Sequence, residues 1–505
     1  MLNLILDNVS AKLPDKIALI FEERTYTYAN LCMLTRSLAA SLLQRGISPG
    51  DRVAFLLPNC LEIVLCYYAC FKIGAIAVPL NIRFQTELLE YGLTHSGARV
   101  LISEPELFEK VEKIRPSLAG VEQYYLTARS SEFGGVRSFD ELLEATFDPD
   151  RLPSVEESNA AAIYYTSGTT GLPKAVIHSH ASLTQATQNQ ITQIAISRED
   201  RTLIMFPICY LIGFGSQILP FHSSGATCIL MAHFAPRPAL EMIQTYKPTK
   251  TYGFPKLYND LANCPEAGQY GVRSLSFCFS AGEAIPVAVQ ERFNRIFGVE
   301  ITEGCGMTEL QIYSMNPPYG KKRIGSIGRP IAGMEVSLID DTGRPISKAG
   351  EIGEMIVRGR SMTAGYWRDP GLTARNIREG WFHTGDLAYK DEEDIYWFVS
   401  RKSEIIKHQA GLVSPIEVEG VLYEHPSVRE AGVVGVPDRS GHELAQAYVV
   451  LKKGSPPVTE QHLIEFTRTR LPAYKVPHRI IFVETLPYGP TGKIDRTTLR
   501  ENAKE

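Results

Sequence analysis

The sequence shows no excess of charge of either sign. Its 52 Lys and Arg residues nearly balance its 56 Asp and Glu residues, which leaves a formal net charge of −4 over 505 residues. The longest basic run is Lys321-Lys322-Arg323. Because a nucleic-acid interface needs an extended basic surface, nucleic acid is disfavoured as the principal partner.

Long hydrophobic runs are also missing. The most apolar stretch, from Leu61 to Leu80, is interrupted by Glu62 and Lys72, and the apolar run between those charges is too short to span a bilayer. The N-terminus reaches Asp7 before a signal-peptide core can form and has no basic leader. These features predict a cytoplasmic protein without a transmembrane segment.

The cysteines suggest neither disulfides nor a metal–thiolate site. There are nine of them, an odd number, and none follows Cys305. Cys66 and Cys70 lie four residues apart in an apolar stretch, a spacing that favours one buried helix face over a ligand pair. We therefore expect reduced core cysteines.

The chain length predicts more than one domain, and the pattern of elements predicts an α/β fold. Up to about residue 330, helical stretches such as Tyr28–Gln44 alternate with short apolar runs, which is typical of βαβ units around mostly parallel sheets. The runs predicted as strands are Val53–Leu57, Arg99–Ile102, Ala161–Tyr165, Thr202–Phe206 and Ser274–Ser280.

The pattern changes at about Gly325. Short alternating strands with frequent glycine predict an antiparallel barrel or meander, with strands at Glu335–Ile339, Gly353–Arg358, Leu387–Tyr389 and Ile395–Val399. After Arg401, strand and helix patterns resume and predict a small α+β domain of about 100 residues.

The segment TSGTTGLPK follows the predicted strand Ala161–Tyr165. Its glycines, hydroxyls and lysine are Thr166, Ser167, Gly168, Thr169, Thr170, Gly171 and Lys174. Glycine lets backbone N–H groups approach an anion, hydroxyls donate hydrogen bonds, and lysine neutralises charge, so the segment predicts a polyphosphate-binding loop. It is not a Walker A loop, because Leu172 and Pro173 separate the last glycine from the lysine. The alternative is a polar turn with a solvated lysine.

This loop resembles a diagnostic segment of the superfamily of acyl-CoA synthetases, peptide-synthetase adenylation domains and beetle luciferases. Further matches follow in order along essentially the whole chain: GCGMTE at 304–309, GE at 353–354 through GY at 365–366, GWFHTGD at 380–386, SRKS at 400–403 and PTGK at 490–493. The resemblance implies an N-terminal adenylation domain over residues 1–401, built of two mostly parallel α/β subdomains and a β-barrel-like subdomain. A small mobile α+β domain over residues 402–505 would follow, with a hinge near Ser403.

The resemblance also implies the residues that bind ATP and Mg²⁺. Besides the glycine-rich loop, these are Gly282, Glu283, Glu303, Gly304, Cys305, Thr308, Asp386, Arg401 and Lys493. Thr308 would contact the α-phosphate, Glu309 would bind Mg²⁺, and Asp386 would accept both ribose hydroxyls. Lys493 would bridge the substrate carboxylate and the α-phosphate, which makes Lys493, Thr308 and Glu309 the expected catalytic residues.

The expected pocket for the acid substrate contains aromatic, aliphatic and small residues. They are Tyr210, Ile212, Phe214, Ser216, Phe254, Ser280 and Gly306. Relatives that activate amino acids place an aspartate near the position of Tyr210, because a buried ammonium needs a partner. The segment PICYLIGFG has no carboxylate. We therefore expect a fatty, aryl or arylalkyl acid without an α-amino group.

Four positions depart from the family pattern. Tyr210 stands where acyl-CoA synthetases commonly have histidine, and Cys305 stands where a tyrosine stacks on adenine. Ser403 replaces the usual Asp or Lys of the hinge. In the thiol-channel loop, which includes Lys407 and Gly411, relatives usually have glycine at Ala410 and often at Gln409. We expect the residues for the adenylation half-reaction to be intact. The thiol-channel loop does not decide whether the transfer to a thiol acceptor follows the family pattern.

The leading hypothesis is a two-step ligase that forms acyl-AMP from ATP and then transfers the acyl group to the thiol of CoA. The thiol could instead be the phosphopantetheine of an acyl or peptidyl carrier protein. A luciferase-like oxidoreductase that uses acyl-AMP and O₂ shares every nucleotide motif. A non-catalytic AMP-binding protein is disfavoured, because Lys493, Glu309 and Thr308 are all present.

Overall fold

The computed structural model describes residues 1–128, 132–166, 172–438, 440–489 and 493–503. Three sheets build the chain up to Arg401, and a separate small sheet follows. No helix within these described ranges is long and apolar enough to cross a membrane. All nine cysteines are free thiols, and six of them are buried, as expected of core residues.

The first sheet has eight strands, six of them parallel neighbours. From edge to edge the strands are Gly365–Tyr366, Lys174–Ser179, Ala160–Thr166, Ile76–Pro79, Arg52–Leu56, Val100–Ser103, Gln123–Leu126 and Arg137–Ser138. Their apolar runs are buried on both faces because helices cover the sheet, as is usual for parallel sheets. Thr166 and Lys174 face each other at the end of an antiparallel pair.

The second sheet has nine strands, again with six parallel neighbours. From edge to edge they are Arg329–Pro330, Gln311–Met315, Ile301–Met307, Phe277–Ser280, Lys250–Gly253, Arg201–Ile204, Thr227–Leu230, Ile17–Phe21 and Arg24–Thr27. One apolar core contains residues of both large sheets together with helix Leu61–Ile73. That helix is buried from Ile63 to Ile73, which explains why its sequence is apolar on every side.

The α-helices of the large region cover the two sheets. They are Ile5–Ser10, Tyr28–Gln44, Leu61–Ile73, Thr86–Ser96, Pro105–Glu112, His180–Gln193, Leu211–Gly213, Leu219–Ser223, Pro236–Tyr246, Pro255–Ala262, Val287–Phe297 and Pro370–Asn376. A π-helical turn, Phe214–Ile218, joins two of them. Single 3₁₀ turns are Leu2–Leu4, Arg115–Ser117, Phe139–Leu142, Pro149–Arg151, Ala267–Gln269 and, in the small domain, Ala473–Lys475.

The third sheet is antiparallel throughout, as the glycine-rich alternating pattern predicts. Its strands are Met334–Ile339, Gly353–Gly359, Ile377–Arg378, Trp381–Lys390 and Tyr396–Arg401. The last two strands pair Asp386 directly with Arg401. Since residues opposite each other in a sheet project from the same face, this register brings an acid and a base together.

The C-terminal region has its own core, formed by a three-stranded sheet, a short hairpin and three helices. The sheet strands are Val428–Pro437, Glu443–Leu451 and Arg479–Phe482, the hairpin strands are Ile406–His408 and Gly411–Val413, and the helices are Pro415–Glu424, Glu460–Arg468 and Arg496–Asn502. This is the small α+β domain that the sequence predicts. The boundary between residues 401 and 402 stays a prediction.

Candidate active site

A cavity of about 1620 Å³ lies between the large region and the small domain. Its wall combines loops at the strand ends of the large sheets, residues of the antiparallel sheet, and residues of the small domain that include Tyr488, Gly489 and 493–497. Typical small-molecule pockets measure about 300–1000 Å³, so this cavity has room for a nucleotide together with a second substrate.

Lys493 reaches the cavity from the small domain. A Cβ atom added at Gly282 would lie 3.5 Å from Lys493 Cε and 2.9 Å from the Phe254 ring, so only a residue without a side chain leaves this space open. The neighbouring Ile494 N–H donates a 3.3 Å hydrogen bond to Glu283 Oε1. Burial lowers the pKa of the Lys493 ammonium and Arg401 lowers it further, while Glu283 is among the groups that oppose this shift.

A buried ion network fixes the segment that carries Lys493. Arg496 donates two hydrogen bonds to the Glu419 carboxylate, at 2.6 and 3.1 Å, and its Nε donates to Glu404 at 3.1 Å. Bidentate pairs of this kind set orientation as well as distance. The network therefore fixes the position of the start of helix Arg496–Asn502. Lys493 lies three residues before this helix, so its position is restrained as well.

Arg401 lines the cavity, and the buried Asp386, which is not part of the wall, is paired with it on the neighbouring strand. Arg401 Nε lies 3.3 Å from Asp386 Oδ1. Burial raises the pKa of the aspartate, and the positive charge of Arg401 only partly offsets that rise. Within the described residues Asp386 Oδ1 accepts no hydrogen bond, although the side chain is buried. A buried acceptor without a donor fits a ligand that supplies hydroxyl groups.

Cys305 lies near Asp386, and its thiol is not reactive. The Tyr313 hydroxyl donates a 3.0 Å hydrogen bond to Cys305 Sγ, and burial raises the pKa of the thiol to about 12. At neutral pH the thiol is therefore protonated and uncharged.

Glu309 is held by residues from two other parts of the chain. The Tyr366 hydroxyl donates a 2.8 Å hydrogen bond to Glu309 Oε1, and the Thr363 N–H donates a 2.6 Å hydrogen bond to the Glu309 carbonyl. Lys174 Nζ lies 6.0 Å from the centre of the Tyr366 ring. One carboxylate oxygen is thus fixed, and Oε2 has no hydrogen-bond partner among the described residues.

Thr308 is positioned through its backbone by a buried histidine. His178 Nε2 donates a 2.7 Å hydrogen bond to the Thr308 carbonyl, and His178 Nδ1 lies 3.0 Å from Ser182 Oγ. Burial lowers the pKa of His178 to about 4, so the ring is neutral at physiological pH. Because His178 lies on strand Lys174–Ser179, this bond ties the strand after the glycine-rich loop to the Thr308–Glu309 turn.

The cavity wall also contains most of the residues predicted to bind the acid. Of the predicted pocket residues, Tyr210, Ile212, Ser216, Phe254 and Gly306 line the cavity. Asn81 Nδ2 donates a 2.9 Å hydrogen bond to the Tyr210 hydroxyl, and burial raises the pKa of that hydroxyl.

Two other predicted pocket residues lie elsewhere. Phe214 is completely buried with its ring stacked on Tyr67, their centroids 3.7 Å apart, because it belongs to the core between the sheets. Ser280 ends a fully buried strand and is not part of the wall. A sequence pattern gives the position of such residues but not the direction of their side chains.

Predicted nucleotide-binding residues also separate into two groups. Thr166, Lys174, Gly282, Glu283 and Arg401 line the cavity, as do Thr308 and Lys493. The Glu303 carboxylate instead accepts hydrogen bonds from the Ile285 N–H and from Gln290, and burial raises its pKa to about 8. Gly304 packs against the Ser314 carbonyl, 2.6 Å from where its Cβ would be. Residues 167–171, the rest of the predicted loop, lie outside the described residues.

The predicted thiol-channel residues lie away from the cavity in this arrangement. Lys407, Gln409, Ala410 and Gly411 belong to the hairpin of the small domain, and the Ala410 N–H bonds to His408 Nδ1 at 3.0 Å. Gly411 has a φ of +146°, which favours glycine. Ser403, the predicted hinge residue, is exposed at the edge of the cavity.

Two residues of this site, His178 and Gln311, have no signal in the local sequence. Their partners, Thr308 and Ser216, are distant along the chain. Tyr366 belongs to a segment that resembles the family, but the sequence does not indicate its hydrogen bond to Glu309. A histidine on a strand is an ordinary core residue by pattern.

Comparison with known proteins agrees with this geometry. The family model of the AMP-binding enzyme matches residues 6–367, and that of the AMP-binding enzyme C-terminal domain matches residues 417–493. The chain is 32% identical to a long-chain-fatty-acid–CoA ligase of Bacillus subtilis, covering 99% of this chain and 94% of the relative. It is 33% identical to a feruloyl-CoA synthase of Amycolatopsis, covering 94% and 93%.

A solved structure is similar over the same length. The anthranilate CoA ligase AuaEII, in complex with anthranoyl-AMP, matches with a TM-score of 0.93 and 30% identity, covering 99% of this chain and 97% of that one. The motifs, the cavity between two domains and the family models lead to one assignment: the chain belongs to the AMP-binding enzyme family.

Proposed function

We propose that the protein is an AMP-forming acid–thiol ligase that activates a fatty or aryl carboxylic acid without an α-amino group and transfers the acyl group to CoA. Its relatives named above are CoA ligases or synthases. The observation that carries the proposal is the entry of Lys493 into the cavity beside Gly282, where the wall also contains Thr308 and Arg401.

In the first step, a carboxylate oxygen of the acid attacks the α-phosphorus of ATP. The new bond forms acyl-AMP, the bond to the bridging oxygen breaks, and pyrophosphate leaves. Lys493 brings a positive charge to the atoms where negative charge develops, and a preorganised charge of this kind lowers the barrier. The Thr308 hydroxyl donates to the α-phosphate.

Asp386 and Arg401 hold the nucleotide in this proposal. The buried Asp386 Oδ1 lacks a hydrogen-bond donor among the described residues and accepts from the ribose hydroxyls when ATP is bound. Burial raises the pKa of the aspartate, and the positive charge of Arg401 opposes that rise. Cys305 offers a smaller surface than an aromatic ring, so adenine stacking contributes less here.

The residues around Glu309 fit Mg²⁺. Tyr366 fixes one oxygen of the carboxylate. No cluster of three or more His, Cys, Asp or Glu side chains suited to a metal occurs within the described ranges. A single carboxylate is what Mg²⁺ uses when it keeps several waters and binds phosphate oxygens. When bound, Mg²⁺ neutralises charge on the phosphates of ATP. Glu309 is therefore the proposed protein ligand.

In the second step, the thiol sulfur attacks the acyl carbonyl carbon, AMP leaves and the thiol proton is released. Lys407, Gln409, Ala410 and Gly411 line the proposed thiol path after the small domain rotates about Ser403. Gly411 has a φ of +146°, which favours glycine, and lies one residue after Ala410. In this proposal it takes the role of the glycine that relatives have at the position of Ala410.

Two measurements test the function. Acid-dependent exchange of labelled pyrophosphate into ATP reports the first step, and thioester formation reports the second. We expect exchange with simple fatty or aryl acids, and thioester formation with free CoA faster than with a holo carrier protein. An α-amino acid that outperforms every simple acid would contradict the substrate class. O₂ consumption or light emission without CoA would favour the oxidoreductase.

A further inference from the structure

A buried amide belongs to the cavity wall. Gln311 and Ser216 both line the cavity, and they are only 5% and 3% exposed. The Ser216 hydroxyl donates a 3.0 Å hydrogen bond to Gln311 Oε1. Gln311 Nε2 donates to no acceptor among the residues that the structure describes. The amide is thus anchored through its oxygen, and its N–H groups are left unused.

The backbone at Gln311 is one that favours glycine. Its φ is +64°, and it follows the turn that joins strands Ile301–Met307 and Gln311–Met315. A left-handed conformation is unfavourable for a residue with a side chain. Short hairpin turns usually place glycine at such a position. The turn itself therefore does not need a glutamine, and backbone strain of this kind is often kept where a side chain serves a function.

The surroundings indicate what the amide could bind. Ile212, Phe254 and Ile312 line the same cavity and offer no hydrogen bond through their side chains. A buried donor left without an acceptor is destabilising, and a substrate atom that accepts its hydrogen bond removes that penalty. A neutral amide donor suits an uncharged oxygen, since a charged group would also need a counter-charge.

We propose that Gln311, held by Ser216, is a specificity-determining residue that donates a hydrogen bond from Nε2 to an uncharged oxygen on the acyl part of the substrate. The preferred acids would carry a hydroxyl, ether or carbonyl oxygen in an aliphatic or aromatic tail. This inference rests on the proposed acid activation. Sites built to hydrogen-bond a substrate reject analogues that lack the group, and we expect a preference of tenfold or more.

The test compares acids of nearly equal size. Aryl acids with a methyl, amino, hydroxyl or methoxy group at each ring position, and alkanoic acids with their oxa analogues, are assayed for pyrophosphate release. The wild type should show at least tenfold higher kcat/KM for the oxygen-bearing member of a matched pair. Ser216→Ala should reduce this ratio, because the amide loses its anchor.

Two variants of Gln311 separate the amide from the backbone strain. Gln311→Gly and Gln311→Met should both bring the oxygen-to-methyl ratio towards one. Both variants remove the unpaired amide, but Gln311→Gly should have the higher Tm of the two, because glycine adopts a φ of +64° without strain. If either Gln311 variant has an intact melting transition and the same oxygen-to-methyl ratio of kcat/KM as the wild type, the inference is overturned.

The remaining outcomes are also decisive. Equal kcat/KM values for methyl and oxygen analogues in the wild type would overturn the inference and leave acid activation standing. Faster turnover of the amino-substituted acids would overturn it too, because it would mean that the amide offers its oxygen to the substrate. Failure of every acid, oxygenated or not, would overturn the proposed function and the inference with it.

Discussion

Lys493→Ala should nearly abolish acyl-AMP formation while ATP binding largely survives. Lys493 belongs to the small domain but reaches Gly282 in the wall of the large region. Its ammonium is surrounded by Arg401, Glu283 and Asp386, and burial lowers its pKa. Ground-state contacts of ATP with Asp386 and Arg401 do not depend on Lys493, whereas the charge that develops during attack does.

The size of the effect follows from simple electrostatics. Two unit charges about 4 Å apart interact by about 4 kcal/mol at an effective dielectric constant of about 20. Each tenfold change in rate corresponds to about 1.4 kcal/mol of activation free energy. Losing two thirds of that interaction already slows the reaction about hundredfold, in line with the removal of other preorganised electrostatic groups. We therefore expect a loss of about hundredfold or more in the rate.

Pyrophosphate exchange measures the first step, and calorimetry measures ATP affinity. Lys453, an exposed lysine of the same domain, provides the matched control, and Lys453→Ala should behave as wild type. Only the protonated Lys493 supplies the charge, so kcat/KM for adenylation should fall as pH rises through its lowered pKa, below the usual value of about 10.4. Exchange near the wild-type rate in Lys493→Ala would refute the assignment.

Three further predictions concern other parts of the site. Asp386→Ala should weaken ATP and AMP binding at least tenfold, because hydrogen bonds to a charged group contribute about 1.5–3 kcal/mol each; unchanged affinity by calorimetry, with an intact fold, would contradict the ribose role. His178→Leu should lower kcat of adenylation about tenfold with little change in KM for ATP, while His178→Gln, which keeps a donor, should recover part of it; equal rates in both variants would argue against positioning of Thr308. If Ala410 narrows the thiol path, Ala410→Gly should speed thioester formation without changing pyrophosphate release; no change in either step would assign the glycine role to Gly411.

The sequence predicted the elements well where local rules decide them. Helix Tyr28–Gln44 has the predicted bounds, because Thr27 forms a capping box with Asn30 at its start. The apolar runs predicted as strands form the two parallel sheets. Motifs placed Lys493 and Thr308 correctly at one cavity, since each follows a strand end or a loop that the fold brings there.

Side-chain direction and long-range pairing were beyond such rules. The sequence position of Phe214 predicts a pocket residue, but Phe214 lies in the π-helical turn and its ring stacks on Tyr67 in the core. Glu303 lies in a family motif, but its carboxylate turns towards the Ile285 N–H. The bond from His178 to the Thr308 carbonyl spans 130 residues, and only the assembled sheets bring its two ends together.

The contacts between the two domains bear on the proposed rotation of the small domain. Besides the Ile494–Glu283 bond, they include a 3.2 Å hydrogen bond from Asn259 to the Arg429 carbonyl and a 3.8 Å ion pair of Lys256 with Glu430. The Glu430 carboxylate is buried, but Lys256 is 32% exposed, so solvent partly screens this pair. A ligand can shift such an equilibrium only by its difference in affinity between the two arrangements. In the proposed mechanism, bound ATP and acid interact with Lys493 only in this arrangement. When pyrophosphate leaves, part of that favourable interaction is lost. The proposed rotation, which would bring Gly411 to the thiol path, has to break contacts such as these once acyl-AMP has formed.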